Sequence, residues 1–203
     1  MVYDRPEVIA PKPKSIQSTD RKNMRPNVDS QKIEHLMQVL GQEAQGSGSI
    51  YFTGGASALL IGWRNSTVDV DIRLDPEPLG IFQAIAKIKQ ELNINIELAS
   101  PQDFLPPLPG WRDRSIFIAR KGRISFYHYD FTAQALSKLS RGYDRDIKDV
   151  QAMYKQNLFT LNTLRDCFEA ISMELIRFPA LDADVLRSKV ENFIANISKE
   201  EQS

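Results

Sequence analysis

The chain has 203 residues, enough for one compact domain or a core with a helical appendage, and folding at that size buries about 70 per cent of the unfolded surface. Its 26 basic and 26 acidic side chains cancel, which excludes long-range capture of nucleic acid by net charge and leaves only local contacts. No apolar run reaches the roughly 20 residues that span a bilayer, residues 1–25 lack the apolar stretch of a secretion signal, and Cys167 is the only cysteine, so the expected setting is a reducing cytoplasm, off the membrane and without an internal disulfide.

Residues 1–27 carry Pro6, Pro11, Pro13 and Pro26 among Lys, Arg and Ser, a composition that sustains neither a helix nor a packed strand. An extended arm is expected, draped over its own subunit or over a second copy in a homo-oligomer. Asp29 or Ser30 caps a helix running to about Ala44, which Gly46-Ser47-Gly48 ends. His35, within that helix's charged surroundings, is expected to face solvent. Ser49-Ile50-Tyr51-Phe52-Thr53 is rich in β-branched and aromatic residues and stops at Gly54-Gly55, so it reads as a strand entering a tight turn, after which Ala56 to Leu60 start a helix. Two glycines let backbone N–H groups approach an anion with no Cβ in the way, and the helix N-terminus adds positive dipole. Gly54, Gly55 and the hydroxyl of Ser57 therefore form a candidate phosphate site. Trp63, in an apolar context, is expected to pack.

Thr67-Val68-Asp69-Val70-Asp71-Ile72 alternates with period two, which puts Val68, Val70 and Ile72 on one face and Thr67, Asp69 and Asp71 on the other. Carboxylates that close repel unless a cation lies between them, and magnesium is the hard, oxygen-seeking ion that also binds nucleotide phosphates. A solvated strand edge is the plainer alternative for an isolated D-x-D. Thirteen residues separate Gly55 from Asp69. This glycine turn followed by Asp69-Val70-Asp71 resembles the nucleotidyltransferase superfamily that includes DNA polymerase beta. Within it, Arg64-x-x-Thr67-x-Asp69-x-Asp71 is similar to a compact prokaryotic branch containing the AbiEii-type abortive-infection toxins.

Pro76 to Leu92 reads as a helix, with Leu79, Phe82, Ile85, Ile88 and Leu92 at helical spacing, and Asn93 to Leu98 as a strand with Ile94, Ile96 and Leu98 on one face and Asn93, Asn95 and Glu97 on the other. The resemblance implies a third metal-binding carboxylate on a later strand. Glu97 follows the intervening helix directly; Asp130, between aromatics in Phe126 to Phe131, is the rival. Pro101 to Trp111 is a loop, with Trp111 expected to pack, and Ser115 to Ala119 with Ile124 to Phe131 form a hairpin about Lys121-Gly122. Arg112, Arg114, Arg120, Lys121 and Arg123 make this region basic, fit for RNA phosphates or a nucleotide tail, or simply a solvated turn. His128 is expected to be a hydrogen-bonded strand residue and Cys167 a buried apolar one.

Three helices complete the pattern: Ala133 to Gln156, Thr160 to Arg177 and Asp182 to Asn196. In the first, Leu136, Leu139, Tyr143, Ile147, Val150 and Tyr154 form an apolar stripe, opposite Lys138, Arg141, Arg145 and Asp149. The toxin branch carries here a lysine followed by an R-D-x-x-D element, which in this chain is Lys138 with Arg145, Asp146 and Asp149. The resemblance implies that Lys138 contacts nucleotide phosphates and that an acid assists the nucleophile. It implies an α/β (α+β) fold: a small mixed-sheet core over 28–132, helices over 133–203 and the arm over 1–27. It further implies a magnesium-dependent nucleotidyltransferase with two Mg2+ ions, which moves a nucleoside monophosphate from an NTP to a hydroxyl of RNA, protein or a small molecule, as one component of a toxin–antitoxin pair with an antitoxin partner. The alternative is an inactive scaffold that binds nucleotide or a partner.

Overall fold

In the computed structural model, which describes residues 27–202, Asp29 accepts a hydrogen bond from the Lys32 amide at 2.9 Å and starts helix α1 (Ser30–Glu43), a side-chain cap for a donor that the helix itself leaves unpaired. The extended arm expected over residues 1–27 lies outside the described residues but for Asn27. Strand β1 (Gly48–Phe52) follows, then α2 (Gly54–Ile61), β2 (Asp69–Leu74), α3 (Ile81–Glu91) and β3 (Asn95–Leu98). A 3-10 turn at Pro101–Asp103 and the short α4 (Trp111–Arg114) lead into the hairpin β4 (Ile116–Lys121) and β5 (Ile124–His128). The rest is helical: α5 (Phe131–Arg141), α6 (Asp144–Lys155), α7 (Leu161–Ser172), which tightens into a 3-10 turn at Met173–Arg177, and α8 (Ala183–Glu200).

The chain is a mixed α/β fold on a five-stranded sheet in the order β3-β2-β1-β5-β4. β2 runs antiparallel to β1, and β3 parallel to β2 by way of α3. On the other side β5 is parallel to β1, and β4 antiparallel to β5. Period two sorts the side chains. Ile50 and Phe52 of β1, Val70 and Ile72 of β2, Ile96 of β3 and Phe126 of β5 pack with Ile33, Leu36 and Leu40 of α1 and Ile81, Ile85 and Ile88 of α3. The opposite face carries Tyr51, which joins Trp111 and Tyr129 and the buried sides of α5, α7 and α8 in a second core. Burying each such aliphatic or aromatic side chain contributes about 1.5–3 kcal/mol. Trp111 and the fully buried Tyr129 stack at 4.6 Å, so Trp111 is a packing residue, and Cys167 is buried without a disulfide, both as expected.

Several elements depart from the sequence pattern for local reasons. The helix expected from Pro76 begins only at Ile81, because Pro76 and Pro78 offer no N–H and Gly80 takes a φ of +79°; Leu79 and Phe82 are exposed rather than inward. The long helix expected over Ala133 to Gln156 is two helices, broken where Gly142 adopts a φ of +73° as the cap of α5. That bend turns Tyr143 outward, to 70% exposure. Val68 and Leu98, expected inward, are also exposed, because β2 begins at Asp69 and β3 ends at Leu98. Among the described residues no helix is long and apolar enough to cross a membrane.

Candidate active site

The parallel register of β2 and β3 sets Asp71 directly opposite Glu97 and Asp69 opposite Asn95. Val70, Ile72 and Ile96 fill the core beneath, so the acidic side chains stand on the far face, as the alternation predicted. The Asn95 amide ties two of them together, donating to Asp69 at 2.9 Å and to Glu97 at 2.5 Å. Asp71 is half-buried, and its carboxyl is pushed up to about 6, first by burial and then by the charges of Glu97 and Asp69, against the pull of Lys138 and Arg141. Among the described residues, no three His, Cys, Asp or Glu side chains are already gathered into a metal cage. The donor chemistry nevertheless fits a hard divalent cation: carboxylate oxygens on adjacent strands, with a half-buried member whose ionisation needs positive charge.

Facing Asp71 is the turn between β1 and α2. The Thr53 amide donates to the Asp71 carbonyl at 3.0 Å, and Gly54 has a φ of +53°. A Cβ on Gly55 would stand 2.1 Å from the Thr67 hydroxyl, so close approach requires glycine there, whereas at Gly54 it is the positive φ that does, with a Cβ also crowding the Asp71 Oδ2 at 2.8 Å. Gln134 of α5 accepts from the Gly54 amide at 2.9 Å and donates to the Tyr129 carbonyl at 2.8 Å, fastening the turn to the helical half of the molecule. Thr67 donates to the Asp69 carbonyl at 3.0 Å.

The opposite wall belongs to α5 and α6. Lys138 donates to Asp149 at 2.6 Å and to Asp146 at 3.3 Å. Arg64 forks onto Asp149, Arg141 forks onto Asp146, and the Trp63 indole N–H donates to Asp149 at 3.2 Å. Burial alone would raise both carboxyls; hydrogen bonds from Arg141 and Lys138 to Asp146, and from Lys138 and Arg64 to Asp149, hold them below the ordinary carboxylate value. Three cations against two carboxylates leave this wall net positive, with exposed Arg145 beside it. Lys138 and Asp149 are thus buried in an ion-pair network, not set on the solvated helix face that their spacing suggested.

Together these surfaces enclose a cleft of about 260 Å³ whose lining includes Gly54, Gly55, Asp69, Asp71, Lys138 and Arg141. Arg64, Thr67, Arg145 and Asp146 line it too. Glu97 and Asp149 are outside the lining, although the first neighbours Asp71 and the second holds Lys138. Ser57 is a correction. It points inward, fully buried, donating to the Phe52 carbonyl at 2.9 Å and meeting His128 Nδ1 at 3.1 Å. His128 is accordingly the hydrogen-bonded strand residue expected, with burial pulling its imidazole down to about 4.

Asp130 is also elsewhere: 1% exposed, it caps α5 through the Thr132 amide at 2.9 Å and takes the Arg114 fork at 3.0 and 2.7 Å. The basic cluster about the hairpin is dispersed as well. Arg112 pairs with Asp75 and Lys121 with Glu34, and Arg123 donates to the Gln45 carbonyl; none of them lines the cleft. Sequence reasoning missed Gln134 as a site residue, for which no local signal exists. It also left Asn95 unassigned, although period two had placed it on the face of Glu97.

A family model described as nucleotidyltransferase of unknown function (DUF6036) matches residues 31–197. No curated protein and no solved structure matches the chain.

Proposed function

The chain belongs to that family of nucleotidyltransferases of unknown function, and from this premise we propose that it transfers a nucleoside monophosphate from an NTP to a hydroxyl acceptor, with Mg2+ held by Asp69 and Asp71 beside Glu97. The observation that carries the reading is the half-buried Asp71, pressed by two neighbouring carboxylates, between a side-chain-free turn and a net positive wall. When bound, two magnesium ions would lower the acceptor hydroxyl's pKa and stabilise the leaving pyrophosphate. Gly54 and Gly55 let the N-terminus of α2 close up on Asp71 and Thr67, so that the positive end of its dipole lies beside the phosphates. Lys138 meets the negative charge of the triphosphate from α5, and Asp146 and Asp149 hold it in place. Asn95 spaces Asp69 and Glu97. The bond from the acceptor oxygen to the α-phosphorus forms as the α–β bridge breaks, the hydroxyl's proton passes to solvent, and pyrophosphate leaves with the bridging oxygen. The protein mainly supplies position and charge.

In its finer form the acceptor is RNA, protein or a small molecule, and the protein is a cytoplasmic toxin of the AbiEii-like branch held in check by an antitoxin. The test is incubation of purified protein with magnesium and each α-labelled triphosphate in cell extract, followed by separation of RNA, protein and small molecules. Label should enter one fraction and vanish with Asp69→Asn; undiminished transfer by that variant refutes the assignment. A second reading, nucleotide binding without turnover, is favoured by the pairing of Lys138 with both Asp146 and Asp149: the wall stays net positive and attracts phosphate, while its central lysine has less charge to give to a leaving pyrophosphate. Tight, magnesium-independent binding with no labelled product in any fraction would select it.

A further inference from the structure

Phe104 is the one aromatic side chain in the lining of the cleft among the described residues, and it is 44% exposed. A lone exposed phenyl ring on an open surface needs no explanation. This one stands in a concavity built otherwise mainly from glycines, hydroxyls, carboxylates and cations, and it belongs to neither hydrophobic core. Its presentation is fixed by backbone instead of by packing of the ring. The Phe104 and Leu105 amides both donate to the Pro101 carbonyl, at 3.0 and 2.9 Å, and Leu105 is buried just behind. Asp103 caps the same turn by accepting from the Ser100 amide at 2.7 Å, and Ala99 accepts from the Thr53 hydroxyl at 3.3 Å, which ties the turn to the glycine loop.

Helix α5 orders the cleft's chemistry along its axis. Gln134 touches the Gly54 amide, Lys138 follows one turn later, and Arg141 after it lies with its guanidinium 5.9 Å from the Phe104 ring centroid. Seven residues of helix advance about 10 Å, a separation of the order that ribose and polyphosphate put between a nucleobase and its far phosphate. Every nucleobase offers a flat π face, and such faces stack on aromatic rings.

We propose that Phe104 is the stacking platform for the base of the donor nucleotide, with Arg141 at the edge of the same stack. This rests on the nucleotidyl-transfer reading and adds where the base lies. The experiment measures, with magnesium and by calorimetry, the affinities of the wild type, Phe104→Ala and Phe104→Trp for the four ribonucleoside triphosphates and for inorganic tripolyphosphate. Phe104→Ala should bind the preferred triphosphate about tenfold more weakly, in line with the measured worth of base–aromatic stacking, with tripolyphosphate affinity unchanged and Phe104→Trp close to wild type. Equal losses for triphosphate and tripolyphosphate would overturn the proposal, as would unaltered triphosphate binding. Wild type that binds neither ligand would overturn the nucleotide reading and this inference with it, whereas unaltered binding in Phe104→Ala removes only the stacking role.

Discussion

Asp71 is where the residues of the cleft are under most electrostatic stress. Its carboxyl rises from 3.8 in the unfolded chain to about 6 in the folded protein, so the folded state binds more protons between those values and loses stability as pH climbs through them. Without magnesium, wild type should therefore fall relative to Asp71→Asn between about pH 4 and pH 6, by on the order of 2 kcal/mol, as read by chemical denaturation at each pH. Added magnesium should restore it and release protons near pH 6; a pH-independent difference between the two proteins would refute the account. Ser57 makes the contrasting case. Because its hydroxyl donates to Phe52, His128 must donate from Nδ1, and Ser57→Ala strands that buried donor at about 1–3 kcal/mol. Activity per folded molecule should not change. The difference between the two residues was only half readable. Strand alternation tells which way Asp69, Asp71 and Glu97 face, whereas nothing within five residues of Ser57 reports how α2 is rotated about its axis.

At the scale of elements, the network joining the end of α2 to α5 and α6 depends on Asp149, which takes hydrogen bonds from Arg64, Lys138 and Trp63. Asp149→Ala leaves Lys138 and Arg64 short of a counter-charge and should cost about 3–5 kcal/mol, seen in equilibrium unfolding, with nucleotide affinity falling as Lys138 loses its placement. An amphipathic pattern cannot announce this arrangement, since a buried pair and a solvated pair are spelled with the same letters. The break after Arg141 was spelled out. Gly142, a residue that takes positive φ at little cost, sits where the stripe from Leu139 to Tyr143 would otherwise continue. The prolines and Gly80 ahead of α3 carried the same kind of signal against a helix starting at Pro76.

For the whole molecule, two hydrophobic cores share one sheet, and the second depends on helices far along the chain. α8 contributes Leu186, Val190, Phe193, Ile194 and Ile197. At about 1.5–3 kcal/mol for each buried side chain, the loss on removing residues 183–203 is comparable with the whole of the usual 5–15 kcal/mol net stability and should leave a chain with no cooperative thermal transition; a sharp transition in that truncation would refute the shared core. The mixed sheet could be read from the alternation of strands and helices, but which face each helix covers could not, because it depends on pairings between distant segments. The Asp130–Arg114 bridge shows what such distance means in practice. It fastens α4 to the first turn of α5, the helix that presents Gln134, Lys138 and Arg141 to the cleft. A mutational survey scored on cell phenotype alone would rank position 130 with the catalytic acids. Scored against the amount of folded protein recovered, it would sort with the scaffold.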